Sequence, residues 1–250
     1  MTGVTEELPA TEADADVEGP RPRGGVAGRP AGGLPAGSRA YPLVALAAIV
    51  SGVAGIGFAQ LDSDLNPLHV TVSEYAVADR GGVTEVAMAV VALGSLALLA
   101  GLRSVGAPVR GMPERLLLVW SGALLVAAAV PTTPFGADPT FAAQVHRYVS
   151  IAAFVSLPAA GALLVPRLAR DPVWRPVARV VEWLALAGGL GVLAITYVAL
   201  PGERVMIGLV ERALLGAEVA LLAVLAAWLV RVVWVSTTVK ITTYHRFIAS

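Results

Sequence analysis

Residues 209–235 have the sequence LVERALLGAEVALLAVLAAWLVRVVWV, in which residues 219–230 carry no charged side chain. A bilayer core about 30 Å thick is crossed by a helix of about 20 mainly apolar residues. Backbone groups in hydrocarbon must find their hydrogen-bond partners within the segment, so a run of this length must be helical. The sequence therefore predicts a membrane-spanning helix here.

Five further apolar runs precede this one along the chain. The six predicted spans cover residues 41–61, 83–102, 115–130, 144–165, 180–200 and 209–235. Hydrophobic residues make up 56% of the 250 residues and charged residues 14%, whereas average globular proteins have about 45–50% and about 25%. We predict an all-α membrane protein, a six-transmembrane helix bundle.

The two ends of the chain lack this apolar pattern. Residues 1–40 join an acidic stretch to one rich in proline, glycine and arginine, which buries too little apolar surface to offset its ordering entropy. We predict a disordered N-terminal tail over 1–40 and a C-terminal tail over 236–250, both cytoplasmic. The formal net charge is +0 and cysteine is absent, which excludes nucleic-acid binding driven by net charge, disulfides and thiolate metal sites.

The distribution of basic residues predicts the orientation. Six spans place both termini on one side, and that side holds all but four of the 18 basic residues. The remaining four are Arg80, Arg147, Arg204 and Arg212. Cytoplasmic loops carry an excess of Lys and Arg, so we expect both termini in the cytoplasm. The heavy use of Ala, Val, Gly and Arg is typical of a GC-rich bacterial genome and favours the bacterial plasma membrane.

The first outer loop, residues 62–82, is long for a helix–helix connection and is a functional candidate for that reason. Asn66 followed by Pro67 is typical of a helix start, and Gly81 followed by Gly82 is typical of a helix end. We expect a short interfacial helix between them, lying at the membrane surface.

This loop also contains His69, Ser73 and Glu74, which together supply a base, a hydroxyl and a carboxylate. One interpretation is a hydrolytic triad, and the other is a solvated loop without chemistry. Triads are recognised by geometry rather than by proximity in sequence, so the sequence leaves both interpretations open.

The remaining candidates open the fourth and the sixth span. A charged arginine inside a span usually faces a partner or water, so we expect His146 and Arg147 either to line a pocket or to play structural parts. Glu211, Arg212 and Glu218 open the last span, and a buried carboxyl group must be paired, hydrogen-bonded or protonated. These three residues therefore predict either a ligand-binding or proton-carrying acid, or structural ion pairs.

Three short motifs resemble those of one bacterial and archaeal six-span family. They are residues 66–75 (NPLHVTVSEY), the proline-rich turn before His146, and residues 208–212 (GLVER). The family is catalogued as domain of unknown function 998 (DUF998), and the resemblance covers about residues 41–235. It implies six helices in a bacterial membrane and no established reaction.

The ionisable residues cluster on one side of the predicted bundle, which predicts an outward-facing polar pocket for a lipid head group or a small amphipathic anion. The candidate ligand-binding residues are His69, Ser73, Glu74, His146, Arg147, Glu211, Arg212 and Glu218. Membrane lipids are the expected partners, and we expect no cofactor, metal ion or nucleic acid. Two alternatives stay open: an intramembrane lipid hydrolase or transferase that uses outer-side histidines and carboxylates, and a small-molecule transporter or structural scaffold.

Overall fold

A computed structural model gives the structure of the protein. It describes residues 39–61, 65–78, 82–133, 136–138 and 140–248, with side chains as far as Trp234 apart from that of Ala78. The predicted disordered tail lies outside the described residues except for its last two positions.

The described part of the chain contains seven helices. They are α1 (Ala40–Ala59), α2 (Val72–Ala78), α3 (Val83–Ser104), α4 (Met112–Ala129), α5 (Phe141–Arg170), α6 (Arg175–Ala199) and α7 (Ile207–Ile248). Six of them, all except α2, are long and apolar enough to cross a membrane. No strand occurs among the described residues. The prediction of an all-α six-span membrane protein is confirmed.

Several helices extend beyond the spans predicted from hydropathy. α5 runs from Phe141 to Arg170, and α7 continues to Ile248, so the backbone of the predicted C-terminal tail is helical over residues 236–248. Hydropathy marks only the residues that lie in lipid, whereas helix ends depend on local caps. At the start of α5, for example, Thr140 Oγ1 accepts a hydrogen bond from Ala143 N at 3.1 Å.

The six spans pack side by side, with α7 in contact with four of the others. α1 contacts α3 and α7, and successive pairs from α3 to α7 contact each other. α7 also contacts α3 and α5. Its fully buried side chains include Leu214, Leu221, Leu222, Leu225 and Leu229. This apolar face forms much of the core of the bundle.

Glycines allow close approach of the spans, as two examples show. A Cβ atom at Gly52 of α1 would collide with Val91 of α3, and one at Gly161 of α5 would collide with Leu221 of α7 and Ala185 of α6. Small residues at helix contacts are usual in membrane proteins, where backbones must approach for van der Waals packing.

One end of the bundle carries the short helix α2 and the α1–α3, α4–α5 and α6–α7 connections, and we call it the capped end. The predicted short helix is present, but it begins at Val72 rather than at Asn66–Pro67. Asn66 Oδ1 instead accepts a hydrogen bond from Leu68 N at 2.9 Å and stabilises a turn. α2 contacts α3 and α7.

Candidate functional site

A largely apolar cavity lies within the bundle, in the half nearer the capped end. Its volume is about 460 Å³, within the range of about 300–1,000 Å³ that is typical of small-molecule sites. Every helix except α6 contributes to its wall. The apolar part of the wall includes Val53, Ile56, Met88, Trp120, Leu124 and Phe154.

Five polar side chains border this cavity: Gln60, Ser73, Ser150, Glu211 and Arg212. All of these except Ser150 lie at the capped end: Gln60 follows the last residue of α1, Ser73 is in α2, and Glu211 and Arg212 are in the first turns of α7. An apolar pocket with a few polar groups at one end is suited to an amphipathic molecule.

The Arg212 guanidinium is bonded on all three nitrogens to protein acceptors. Nε and Nη2 donate to Gln60 Oε1 at 3.0 and 2.9 Å. Nη1 donates to the carbonyl oxygens of Pro67 and Val70, both at 2.7 Å, and to that of Gly208 at 3.0 Å. Arg212 therefore joins α7 to the end of α1 and to residues 65–78, which we call the α2 cap.

Glu211 forms a second link between α7 and the α2 cap. The side chain is buried, at 5% exposure, and Oε2 accepts a hydrogen bond from Val72 N at 2.6 Å. The other oxygen, Oε1, accepts no hydrogen bond from the described residues. Because Glu211 lines the cavity, Oε1 is the free acceptor that this side chain offers to a bound molecule.

Glu74 and Arg204 form a third link, which joins the α2 cap to the α6–α7 connection. Glu74 Oε1 lies 2.6 Å from Arg204 Nη2, and both side chains are partly buried. Glu74 Oε2 accepts hydrogen bonds from the backbone and hydroxyl of Thr71, each at 2.8 Å. Glu74 N donates to Thr71 Oγ1 at 3.2 Å, which completes a reciprocal capping box at the start of α2.

Tyr75 contacts both the start of the α2 cap and Arg212. Its hydroxyl donates to the carbonyl oxygen of Leu65 at 2.5 Å, and its ring lies 5.1 Å from the Arg212 guanidinium carbon. Leu209 N also donates to the carbonyl oxygen of Leu68 at 3.2 Å. The cap is thus a fixed part of the cavity wall, held by charged and backbone contacts to α7.

The candidate residues from the sequence fall into different places. Ser73, Glu211 and Arg212 line the cavity, and Glu74 lies beside them in the α2 cap. His69 is an exposed residue of the cap. Glu218 is 1% exposed and lies outside the cavity wall, and neither of its carboxyl oxygens has a hydrogen-bond partner among the described residues.

The pair at the start of α5 also separates. His146 is buried, and its Nδ1 lies 2.8 Å from the carbonyl oxygen of Val130, so it joins α5 to the end of α4. Arg147 is exposed and forms no hydrogen bond or ion pair within the described part of the chain. Neither residue lines the cavity.

The predicted combination of His69, Ser73 and Glu74 is not arranged as a relay. Glu74 is occupied by Arg204 and Thr71, and Ser73 Oγ lies 3.2 Å from Thr71 Oγ1. Among the described residues, no group of three or more His, Asp or Glu side chains is close enough to hold a metal ion.

Sequence reasoning missed three contributors: Gln60, Thr71 and Arg204. Thr71 had a signal, because Thr-x-x-Glu over residues 71–74 is a capping-box pattern. Gln60 and Arg204 had none, since their partners lie far along the chain. Arg204 also has a left-handed backbone, with φ of 62°, which few residues other than glycine adopt.

Six apolar helices, five of which border a cavity, define a multi-pass helical membrane protein. The family described as protein of unknown function (DUF998) matches residues 45–228 of the chain. The chain therefore belongs to this family, which confirms the resemblance seen in its motifs. No curated protein and no solved structure matches the chain.

Proposed function

We propose that this membrane protein binds an amphipathic molecule in the cavity, with its apolar part against the apolar wall and its polar head at the capped end. The observation that carries the proposal is the cavity itself, about 460 Å³ of mainly apolar space bordered by Ser73, Glu211 and Arg212. Burial of apolar surface supplies the affinity, and a few polar groups fix the orientation of the ligand.

The proposal includes an orientation, in which the capped end faces the outside of a bacterial plasma membrane. It is supported by the small number of basic residues in the connections at that end. The chain has no cysteine, so a single His69→Cys change on the exposed cap provides a unique label. We expect an impermeant maleimide to label it in intact cells and to leave Arg110→Cys, at the opposite end, unlabelled. The reverse pattern contradicts the orientation.

Binding fits the described side chains better than hydrolysis or group transfer does. Hydrolysis of a lipid needs a base or a metal ligand beside the substrate. The described residues that line the cavity include Ser73, Ser150 and one carboxyl group, Glu211, but no histidine; Glu211 Oε2 is bonded to Val72 N, and Ser73 Oγ lies 3.2 Å from Thr71 Oγ1, so no bond between a serine and a base is formed. The apolar wall and the polar end are the two features that a binding site needs, and both are supplied by the lining residues.

The test is a pair of glycine substitutions. Gly57 lines the cavity and Gly122 is an exposed position of α4, and a Cβ atom at either meets nothing within 4 Å. Both glycines are exposed, so Gly57→Leu adds a side chain at the cavity wall with open space for its Cβ atom, and Gly122→Leu is the matched control away from the cavity. We expect a diazirine-bearing C16 single-chain lipid, added to protein in nanodiscs, to label cavity residues of the wild type and of Gly122→Leu, and to lose most of this labelling in Gly57→Leu. Equal labelling of cavity peptides in all three proteins contradicts the proposal.

A further inference from the structure

We propose that the cavity selects a neutral head group that donates a hydrogen bond, as in a long-chain alcohol or a glycerol lipid with a free hydroxyl. This inference rests on the proposed function and names the class of ligand. The starting observation is Glu211, which is buried, lines the cavity, and keeps one carboxyl oxygen free of protein donors.

Glu211 Oε1 has no hydrogen-bond donor among the described residues, so a ligand that donates a hydrogen bond fits beside it. An ionised carboxyl group only accepts, and a protonated one both accepts and donates, so a hydroxyl partner suits either form; Oε2 is already satisfied by Val72 N at 2.6 Å. Oε1 is left without a protein donor in the described part of the chain, in a wall that is otherwise mainly apolar. A hydroxyl group placed at the polar end supplies the missing donor.

Two serine hydroxyl groups extend this polar end toward α5. Ser73 and Ser150 both line the cavity. Ser150 has no hydrogen bond to any described residue, so its hydroxyl group is available as donor and acceptor. A head group with one or two hydroxyl groups can therefore donate to Glu211 and exchange hydrogen bonds with a serine.

An anionic head group fits this arrangement poorly. Arg212 is the cation that the cavity wall offers, but Nε and both Nη nitrogens already donate to protein acceptors, Gln60 among them. A carboxylate head could accept from the one Nη2 N–H that has no acceptor among the described residues, but any further bond would displace Gln60 or one of the three carbonyl groups, and the head would lie beside Glu211. Like charges at short range repel strongly where the dielectric constant is low.

A cationic head group is disfavoured for a related reason. Glu211 and Arg212 are adjacent in the chain, and their formal charges cancel. No other Asp, Glu, Lys or Arg among the described residues lines the cavity. An ammonium head would therefore leave a net positive charge in a mainly apolar site, and burying an uncompensated charge is unfavourable.

The test compares three diazirine-bearing C16 probes that differ only in the head: the alcohol, the carboxylate and the amine. We expect the alcohol to label cavity peptides of the wild type in nanodiscs at least 5-fold more than either charged probe. Glu211→Gln keeps an acceptor oxygen for Val72 N and puts an amide NH2, a neutral donor, in place of Oε1, so the head-group hydroxyl loses its charged acceptor and can only accept at that position. A hydrogen bond to a charged group is stronger than one to a neutral group by roughly 1 kcal/mol, so we expect about 5-fold weaker alcohol labelling in this variant.

The outcomes separate the two proposals. Stronger labelling by the carboxylate or the amine overturns the head-group inference and leaves the proposed function standing. Equal alcohol labelling of wild type and Glu211→Gln also overturns it, with Ser150→Ala as a second variant if Glu211→Gln does not fold. If no probe labels the wild type above Gly57→Leu, the proposed function itself fails.

Discussion

Replacement of Arg212 tests the role of the contacts between α7 and the α2 cap. Arg212 and Arg147 both lie in the first two turns of a span at the capped end. Arg212 donates five hydrogen bonds, whereas Arg147 is exposed and donates none within the described residues. Arg212→Met and Arg147→Met each remove one guanidinium and keep an apolar stem, so they form a matched pair.

The expected loss follows from the contacts of Arg212. Four of its five hydrogen bonds lead out of α7, to Gln60, Pro67 and Val70. Hydrogen bonds between membrane helices average about 0.6 kcal/mol, and stacking of a cation on an aromatic ring, here that of Tyr75, adds about 0.5–1 kcal/mol. We therefore expect Arg212→Met to lower the free energy of unfolding by about 3 kcal/mol. Arg147→Met should change it by less than about 0.5 kcal/mol, as for most surface substitutions.

Equilibrium unfolding in mixed micelles, with increasing dodecyl sulfate, measures both values on the same scale. Proteolysis within residues 65–78 provides a second readout, because release of the α2 cap from α7 should increase cleavage there in Arg212→Met alone. Similar losses in the two variants, or a larger loss in Arg147→Met, would falsify the assignment of Arg212 as the residue that holds the cap.

Three further changes can be measured in the same unfolding assay. Gly208→Ala should lower the free energy of unfolding by about 1–3 kcal/mol, because its Cβ atom would meet the backbone of the α2 cap. Gly122→Ala has open space around it and should leave this free energy unchanged or raise it slightly. Equal effects of the two changes would contradict the close approach at Gly208. Glu218→Met should raise the free energy of unfolding by about 1–3 kcal/mol, because neither carboxyl oxygen has a partner, and a loss of stability would show that the carboxyl group has one. His146→Phe should lower the free energy of unfolding by about 1 kcal/mol, because the hydrogen bond to the Val130 carbonyl oxygen is lost. Labelling by the lipid probe should stay unchanged, and reduced labelling would place His146 in the binding site.

The spans were predictable because lipid imposes a rule that each segment obeys by itself. A run such as residues 219–230 must be helical whatever its neighbours are. The order of the six spans follows from the same rule, without knowledge of any contact. The resemblance of residues 66–75 to a family motif is also local, and the family match over residues 45–228 agrees with it.

The residues that line the cavity could not be predicted from the sequence, because the lining depends on contacts between residues that are far apart along the chain. Val72 and Glu211 are 139 positions apart, and Gln60 and Arg212 are 152 apart. Nothing in the sequence indicates that Arg212 meets protein acceptors while Arg147 remains exposed. Both are arginines near the start of a span, and only the packing of the neighbouring elements distinguishes them.

The character of the pocket differs from the sequence-based expectation for the same reason. Charged residues near the ends of spans predict a polar pocket, but several of them turn toward protein partners. Glu74 pairs with Arg204, and Arg212 pairs with Gln60 and backbone carbonyl groups. The apolar side chains between them, such as Met88 and Phe154, are left to form most of the wall.

An experimental structure of the protein in lipid nanodiscs would show whether the cavity holds an amphipathic molecule. We predict continuous density for one single-chain or branched amphiphile, running from Glu211 past Leu215 toward Val219 along the cavity wall. The same density should be missing from Gly57→Leu. A cavity that is empty or filled by ordered water in the wild type would contradict the account.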